Sequence, residues 1–171
     1  MRFHPKIIWV TLGVWGLSCW VPPPVVRDRQ VNQPVILGSS IEPDLWDVIR
    51  PTAQNRQATF LIPLLQDEDV DDTIHYRWFI DYPFNNDIDI DGRIPASGDI
   101  DRFGIARDID DLCAPNVFPA ASPDGVHLIE LVITDRDFAP QGIPVNRTVS
   151  PSATVLELSW TVSISGSTCA P

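Results

Sequence analysis

Alternation of apolar and polar residues with a period of two marks three stretches of the chain as half-buried β-strands. The clearest stretch is residues 154–164, where nearly every second residue is apolar and the residues between are mostly Glu, Ser or Thr. The same period is found in residues 126–134 and 74–82. Successive side chains of a strand point to opposite faces of a sheet, so one face of each stretch is expected to be buried. The core residues that this pattern predicts include Trp78, Leu131 and Trp160.

Shorter segments add strands to this framework. Thr59–Leu65 is short, apolar and rich in branched residues, which favours a buried strand. Pro63 lacks a backbone N–H and predicts a distortion within that strand. The remaining predicted elements are a first strand at Val35–Ile41, a turn or short helical piece at Pro43–Ile49, and short edge strands near Ile88–Ile90 and Gly104–Ile109. The connections are rich in Asp, Pro and Gly and no long amphipathic helix is visible, so the sequence predicts an all-β, two-sheet β-sandwich with a long irregular Asp-rich middle.

The N-terminal segment is typical of an export signal. Arg2 and Lys6 precede an apolar run that ends near Leu17, and the run is too short to span a bilayer. The sequence GLSC that follows resembles the lipobox of bacterial lipoproteins, although Gly16 stands where the family usually has a branched apolar residue. The resemblance implies that residues 1–18 are removed and that Cys19 is lipidated. Ordinary signal-peptide cleavage nearby is the alternative.

The number of cysteines bears on the choice between lipidation of Cys19 and ordinary signal-peptide cleavage. The chain has three, and a lipidated Cys19 would leave Cys113 and Cys169 as a disulfide pair in an oxidising compartment. Two free thiols are the alternative to this disulfide. Residues 19–34 are proline-rich and predict an extended, lipid-anchored tether. By the same resemblance, Trp20 after the anchor permits delivery to the outer membrane. The predicted location is therefore exported and lipid-anchored, at the outer membrane or in the periplasm.

The rest of the chain, residues 35–171, resembles a second group of proteins. An acidic turn followed by HYRWFIDY, and later DGVHLIELVITD, is similar to the polycystic-kidney-disease, cadherin-like and related immunoglobulin-like modules of bacterial surface proteins. This resemblance covers roughly Thr59 to Ile164 and implies an immunoglobulin-like β-sandwich. The cysteine and tryptophan spacing of antibody domains is not present.

Charge narrows the classes of partner. The net charge is −11, which opposes binding to nucleic acid or to anionic membrane surfaces. Most of the excess negative charge lies between Asp67 and Asp111, so cationic partners stay open. No cofactor is certain from the sequence. Its carboxylate patterns suggest Ca²⁺.

Two groups of carboxylates are candidate calcium sites. The first, at residues 87–92, has the D-x-D-x-D-G spacing in which alternating carboxylates converge on a hard cation. It lacks the Glu at position twelve of a complete calcium loop, so an Asp-rich hairpin with outward carboxylates is the alternative. The ligands of this first site would be Asp87, Asp89 and Asp91.

The second candidate site combines two loops that an immunoglobulin-like topology brings to one end of the sandwich. Adjacent carboxylates repel one another unless a cation or hydrogen bonds compensate, which is the physical reason to consider calcium there. Aspartates that cap turns would explain the same residues. The ligands of this second site would be Asp67, Asp69, Asp71, Asp135 and Asp137.

No nucleophile motif, metalloprotease motif or phosphate-binding glycine loop is present. His127 lies on a largely apolar strand face, which is typical of a core histidine. The sequence therefore predicts a non-catalytic envelope lipoprotein, tethered to a membrane by its lipid, that acts in binding, adhesion or assembly with a protein or glycan partner. A metal-dependent envelope enzyme, or an accessory subunit of one, and a purely structural component of an envelope complex are the alternatives.

Overall fold

A computed structural model describes residues 35–36, 41–83, 91–118, 124–139, 147–149, 153–166 and 168–169. Within these residues the protein is all-β and contains no helix, and so no helix long and apolar enough to cross a membrane. The strands are β1 (Val35–Ile36), β2 (Val48–Ile49), β3 (Ala58–Gln66), β4 (Ile74–Ile80), β5 (Asp91–Ile94), β6 (Asp101–Ile109), β7 (Gly125–Thr134) and β8 (Val155–Ile164).

The strands form two sheets. The smaller sheet, called sheet A, has the order β1-β3-β6, and both of its pairings are antiparallel. The larger sheet, called sheet B, has the order β2-β8-β7-β4-β5. Only the pairing of β2 with β8 is parallel among the named strands. The chain therefore changes sheets at every connection between consecutive strands except those from β4 to β5 and from β7 to β8.

The two sheets pack face to face around three aromatic side chains. Phe60 of sheet A has its ring centroid 6.0 Å from that of Trp78 and 5.2 Å from that of Trp160, and the two indoles stack at 5.7 Å. These three residues and Leu131 are fully buried. The indole N–H of Trp160 donates to the carbonyl oxygen of Pro43 at 2.8 Å, which ties the segment before β2 to the core. A single core thus contacts both sheets, as in a β-sandwich.

Sheet A is kinked at Pro63, the position where the sequence predicts a distortion. The core-facing residues of β3 are Phe60 and Ile62 before the proline and Leu65 after it, so the alternation shifts by one residue. Gly104 lies opposite Pro63 in the register, and a Cβ there would overlap the carbonyl oxygen of Ile62. The close approach of the two backbones explains why a glycine is needed at this position of β6.

The outer face of sheet B is also covered in part. Arg77 and Phe79 lie on the non-core face of β4 and are nevertheless buried. The guanidinium of Arg77 lies 4.2 Å from the centroid of the Phe138 ring, and that of Arg147 lies 5.7 Å from the centroid of Phe79. The segment after β7, held by a bridge between Phe138 and Val149, therefore packs on this face of the sheet.

The predicted elements agree with the observed strands in the periodic stretches and differ elsewhere. Residues 43–49 contain a turn followed by β2 and no helical piece. The predicted edge strand at 104–109 begins three residues earlier, at Asp101. The predicted strand near Ile88–Ile90, the signal segment and the tether lie outside the described residues.

Candidate functional site

The acidic turn between β3 and β4 is the first feature of interest. Asp67 is 1% exposed, and its Oδ1 accepts the backbone N–H of Asp69 at 3.0 Å. The backbone N–H of Asp72 in turn donates to the carbonyl oxygen of Asp69 at 3.0 Å. Asp72 is buried, whereas Asp71 is exposed. The turn therefore places two carboxylates, those of Asp67 and Asp72, in the protein interior.

A buried arginine supplies positive charge beside these carboxylates. Arg102 is 1% exposed and comes from β6, the strand that pairs with β3 in sheet A. Its Nη2 donates to the carbonyl oxygens of Asp69 at 3.3 Å and Asp72 at 3.5 Å. Its Nη1 donates to Ser97 Oγ at 2.7 Å. Arg102 therefore bonds the backbone carbonyl oxygens of this acidic turn directly.

The pKa of the Asp67 carboxyl shows how far Arg102 compensates the buried negative charge. Burial raises the pKa of the Asp67 carboxyl above its ordinary value of 3.8, and the charges of Asp72 and Asp69 raise it further. The Asp69 N–H and the positive charge of Arg102 oppose this rise in the pKa. The Oδ2 atom of Asp67 has no hydrogen-bond partner among the described residues. The turn therefore contains a desolvated carboxylate, and Arg102 compensates its negative charge only in part.

The two carboxylates in the second loop of this predicted site make different contacts. Asp135 is buried, and its Oδ1 accepts the backbone N–H of Thr154 at 3.0 Å. Asp137 is exposed and lies 2.9 Å from His75 Nδ1, on the outer face of sheet B. Within the described residues, no group of three or more His, Cys, Asp or Glu side chains is arranged to hold a metal ion. The structure thus assigns Asp135 and Asp137 to separate polar contacts.

The other predicted calcium site is described only at its last residue. Asp87 and Asp89 lie outside the described residues. The carboxylate of Asp91 forms a two-point ion pair with Arg77, with Nε–Oδ1 and Nη2–Oδ2 distances of 2.5 and 2.8 Å. This pairing holds the start of β5 against β4.

A histidine and aspartate pair closes the opposite end of the sandwich. Asp81 follows β4 with a positive φ of 51°, and its Oδ1 accepts the backbone N–H of Leu128 at 2.9 Å. Its Oδ2 lies 2.7 Å from His127 Nδ1. The His127 ring stacks on Phe118 with a centroid distance of 4.0 Å. His127 is therefore a buried, hydrogen-bonded histidine that fixes the entry of β7.

One cysteine of the disulfide, Cys113, lies in the same segment after β6 as Phe118. Cys113 and Cys169 are bonded, with their Cα atoms 5.3 Å apart and 56 residues apart in sequence. Cys169 packs against the hydrophobic core. The bond joins the segment after β6 to the tail after β8.

Two grooves flank the edge strand β5. One, of about 300 Å³, lies on the outer face of sheet B and is lined by both ion pairs, His75 with Asp137 and Arg77 with Asp91. The other, of about 370 Å³, lies between β5 and β6. Tyr76 and Arg93 line both grooves, and the Tyr76 ring occupies the space that a side chain at position 92 would need.

The groove between β5 and β6 carries an exposed aromatic residue. Phe103 is 89% exposed and lies beside Ile94 and Pro95 in the lining. A second exposed aromatic, Trp46, is 92% exposed in the turn before β2, where its backbone N–H donates to Asp44 Oδ1 at 3.0 Å. Both side chains are therefore presented to solvent.

The sequence did not reveal the role of Arg102 or the pairing of His75. The alternation in β6 changes at Gly104, so the buried position of Arg102 cannot be inferred from a constant period. His75 meets Asp137 only because the segment after β7 folds back on sheet B, and no local pattern records that contact.

Within the described residues, these features define an all-β protein of two packed sheets with one disulfide, an acidic turn bonded by Arg102 at one end and a hydrogen-bonded pair of His127 and Asp81 at the other. Comparisons with protein-family models, with curated proteins and with solved structures find no match to this chain.

Proposed function

We propose that the chain is a non-catalytic, membrane-tethered binding or assembly module of a bacterial envelope, built on an immunoglobulin-like sandwich. The strand order supports the immunoglobulin-like assignment. The pairing β3-β6 corresponds to strands B and E, and the order β8-β7-β4-β5 corresponds to G, F, C and C′. The first strand is split, with β1 beside β3 and β2 parallel to β8.

The observation that carries the proposal is the exposure of apolar side chains on rigid parts of the sandwich. Phe103 projects from a nine-residue strand, and Trp46 from a turn fixed by its own hydrogen bond. A partner that covers these side chains buries apolar area without having to order the backbone that carries them. A binding surface is the function that this arrangement favours.

The runner-up class, an envelope enzyme, has a weaker basis in the described residues. The groove with the His75 and Asp137 pair contains a histidine next to a carboxylate, which is part of a general-base arrangement. The described residues that line it include no Ser, Thr or Cys that such a base would activate. Binding therefore remains the proposal, and hydrolysis is an outcome that its test must look for.

Calcium at the acidic turn stays a separate prediction. The unpartnered Oδ2 atoms of Asp67 and Asp135 are consistent with a cation nearby. The arrangement of the described residues does not provide a set of three ligands, and Arg102 already bonds the turn carbonyls. Millimolar calcium that raises the thermal midpoint of the wild-type protein, with no equal effect of magnesium, would support the site.

The test of the proposed function has a localisation arm and an activity arm. In a bacterial host, the full chain should incorporate labelled palmitate and sediment with membranes, and Cys19→Ala should abolish both. A Cys19→Ala protein that is still labelled with palmitate would overturn the lipid anchor. Purified protein should release no product from envelope glycans or peptides. Product release that is lost in an Asp137→Asn variant would replace the binding proposal with the enzyme alternative.

A further inference from the structure

We propose that the edge of β6 that no described strand pairs with binds an extended basic peptide segment of a partner protein, which adds to sheet A as a further strand. This inference rests on the proposed binding function and names its surface and the chemistry of its ligand. Edge strands present unpaired backbone N–H and C=O groups, and extended peptides pair with them by strand addition.

The backbone of β6 is oriented for such pairing. Leu61 exchanges two backbone hydrogen bonds with Glu42, on the side of β3 that faces away from β6. Ala106 lies opposite Leu61 in the register between β6 and β3. Because the backbone N–H and C=O of Leu61 point away from β6, the two residues form a pair without mutual hydrogen bonds. The N–H and C=O of Ala106 therefore point away from β3. The backbone N–H and C=O groups of every second residue in a strand point to the same side, so those of Asp108 also point away from β3. No strand among the described residues pairs with that side of β6.

The charge along this edge selects a basic ligand. The exposed carboxylates are those of Asp99, Asp101, Asp108 and Asp110. Two of them are held in place, because Asp101 accepts from Gln66 Nε2 at 2.9 Å and Asp108 accepts from Thr59 Oγ1 at 2.7 Å. The basic side chains of the strand, Arg102 and Arg107, are buried or half-buried and face the core. A peptide with Lys or Arg at alternate positions complements this row of carboxylates.

The same charge disfavours a second copy of the chain as the occupant. A net charge of −11 makes two copies repel each other, and pairing β6 with β6 would bring the two acidic rows together. Negative charge on an exposed edge also limits aggregation with like-charged chains. The edge is therefore closed to the protein itself and open to an oppositely charged strand.

The groove between β5 and β6 gives the ligand an apolar anchor point. It lies at the Phe103 and Gly104 end of β6 and is lined on the other side by Ile94 and Pro95. Its volume of about 370 Å³ is within the range of small-ligand pockets and exceeds what one side chain needs. An apolar residue of the added strand next to Phe103 would be covered there.

The experiment uses a synthetic probe and the full-length protein. The probe is a peptide of about eight residues that alternates Lys or Arg with Val, Ile or Phe, matched to the length of β6. Two backbone N-methylated forms are compared, each with alternate amides methylated, and a form with Glu at every basic position serves as the charge control. Binding is measured by fluorescence anisotropy at low and at physiological salt. Because only one set of amides faces β6, we expect one methylated form to lose about tenfold or more in affinity while the other binds normally.

A variant of the protein tests the same contact from the other side. Ala106→Pro removes an N–H that makes no bond to β3, a position where an edge strand tolerates proline, and it should abolish probe binding. Ala106→Thr keeps the N–H and should bind like the wild type. The thermal midpoint and the near-ultraviolet circular dichroism of the tryptophans report whether each variant is folded.

The outcomes are distinguishable from those of the proposed function. Equal binding of both methylated forms, or no binding of the basic probe, overturns the strand-addition proposal and leaves membrane tethering intact. Concentration-dependent dimers that Ala106→Pro removes would assign the edge to a second copy and also overturn it. Failure of palmitate labelling would affect the proposed function alone, since the peptide assay needs no anchor.

Discussion

Replacing Arg102 by Met is expected to destabilise the protein strongly and in a pH-dependent way. Methionine keeps much of the side-chain volume and removes the charge, so the change isolates electrostatics from packing. The guanidinium donates four hydrogen bonds, to the carbonyl oxygens of Pro95, Asp69 and Asp72 and to Ser97 Oγ. Removing one partner of a buried charged group costs about 3–5 kcal/mol, and we expect a loss of that size.

The pH dependence follows from the neighbouring carboxylate. The pKa of Asp67 is raised in the folded protein, so its contribution to stability is greatest below its unfolded pKa of 3.8 and is lost as the pH rises through the folded pKa. Arg102 lowers that folded pKa, and its removal must raise the pKa further. The cost of Arg102→Met should therefore be largest at neutral pH and should shrink as the pH falls toward the unfolded pKa of 3.8.

Urea denaturation at several pH values measures this effect through the free energy of unfolding. Arg93→Met, at an exposed arginine of the same groove, is the matched control and should change the free energy of unfolding by less than about 0.5 kcal/mol. Asp67→Asn should recover part of the loss in the Arg102→Met background, because the buried charge is gone while the Oδ1 bond to Asp69 is kept. A cost below about 1 kcal/mol, or one that is equal at acidic and neutral pH, would refute the compensating role of Arg102.

Three further substitutions test the framework. Gly104→Ala should lower the free energy of unfolding by about 3 kcal/mol, measured by urea denaturation, because its Cβ would overlap backbone that cannot move freely. Replacing Cys113 and Cys169 together by Ser should cost about 4 kcal/mol, the chain-entropy value for a loop of 56 residues, and reduction of the wild type should give a similar loss. Arg147→Met should cost about 2 kcal/mol by the same denaturation measurement, because Glu130, largely buried and 2.8 Å from the guanidinium, loses its charged partner.

The substitutions of Gly104 and Arg147 each have a matched control. Gly98→Ala meets no atom within 4 Å and carries only the strain of a positive φ of 72°, so it should cost about 1 kcal/mol and less than Gly104→Ala. Glu157→Gln changes the exposed partner of Arg147 and should be nearly neutral. Equal losses for the two glycines would contradict the close approach at Pro63, and a double serine variant with unchanged stability would contradict a stabilising disulfide.

Sequence periodicity predicted the centre of the fold. The alternation in residues 126–134 and 154–164 matches β7 and β8 to within one residue at each end. These strands pair over their whole length and have one face in the core, so a period of two is preserved. Pro63 also marked its kink correctly, because a missing N–H is a property of the residue itself.

Prediction failed where burial depends on distant parts of the chain. Arg77 is hydrophilic by type but is buried, because Phe138 covers it from a segment more than fifty residues away. Arg102 breaks the alternation for the same kind of reason, since its partners come from the turn before β4. The acidic run was correctly placed at a turn, but its charge balance depends on this arginine from β6, the strand that pairs with β3. An acidic turn that binds a cation and an acidic turn that is compensated by a guanidinium have the same pattern of acidic residues in the sequence.

The parallel pairing of β2 with β8 determines how the sandwich responds to mechanical load. Strands of a parallel pair have their N-terminal ends on the same side, so a pull on the chain before β2 and on the tail after β8 draws the two strands in opposite directions along their axes. Their hydrogen bonds are then strained together in shear and do not open one after another. The indole bond from Trp160 to Pro43 lies in the same path, and the disulfide passes force on the tail to Cys113. The two-residue strand β2 is short, yet among the named strands it is the one that pairs with the last strand in parallel.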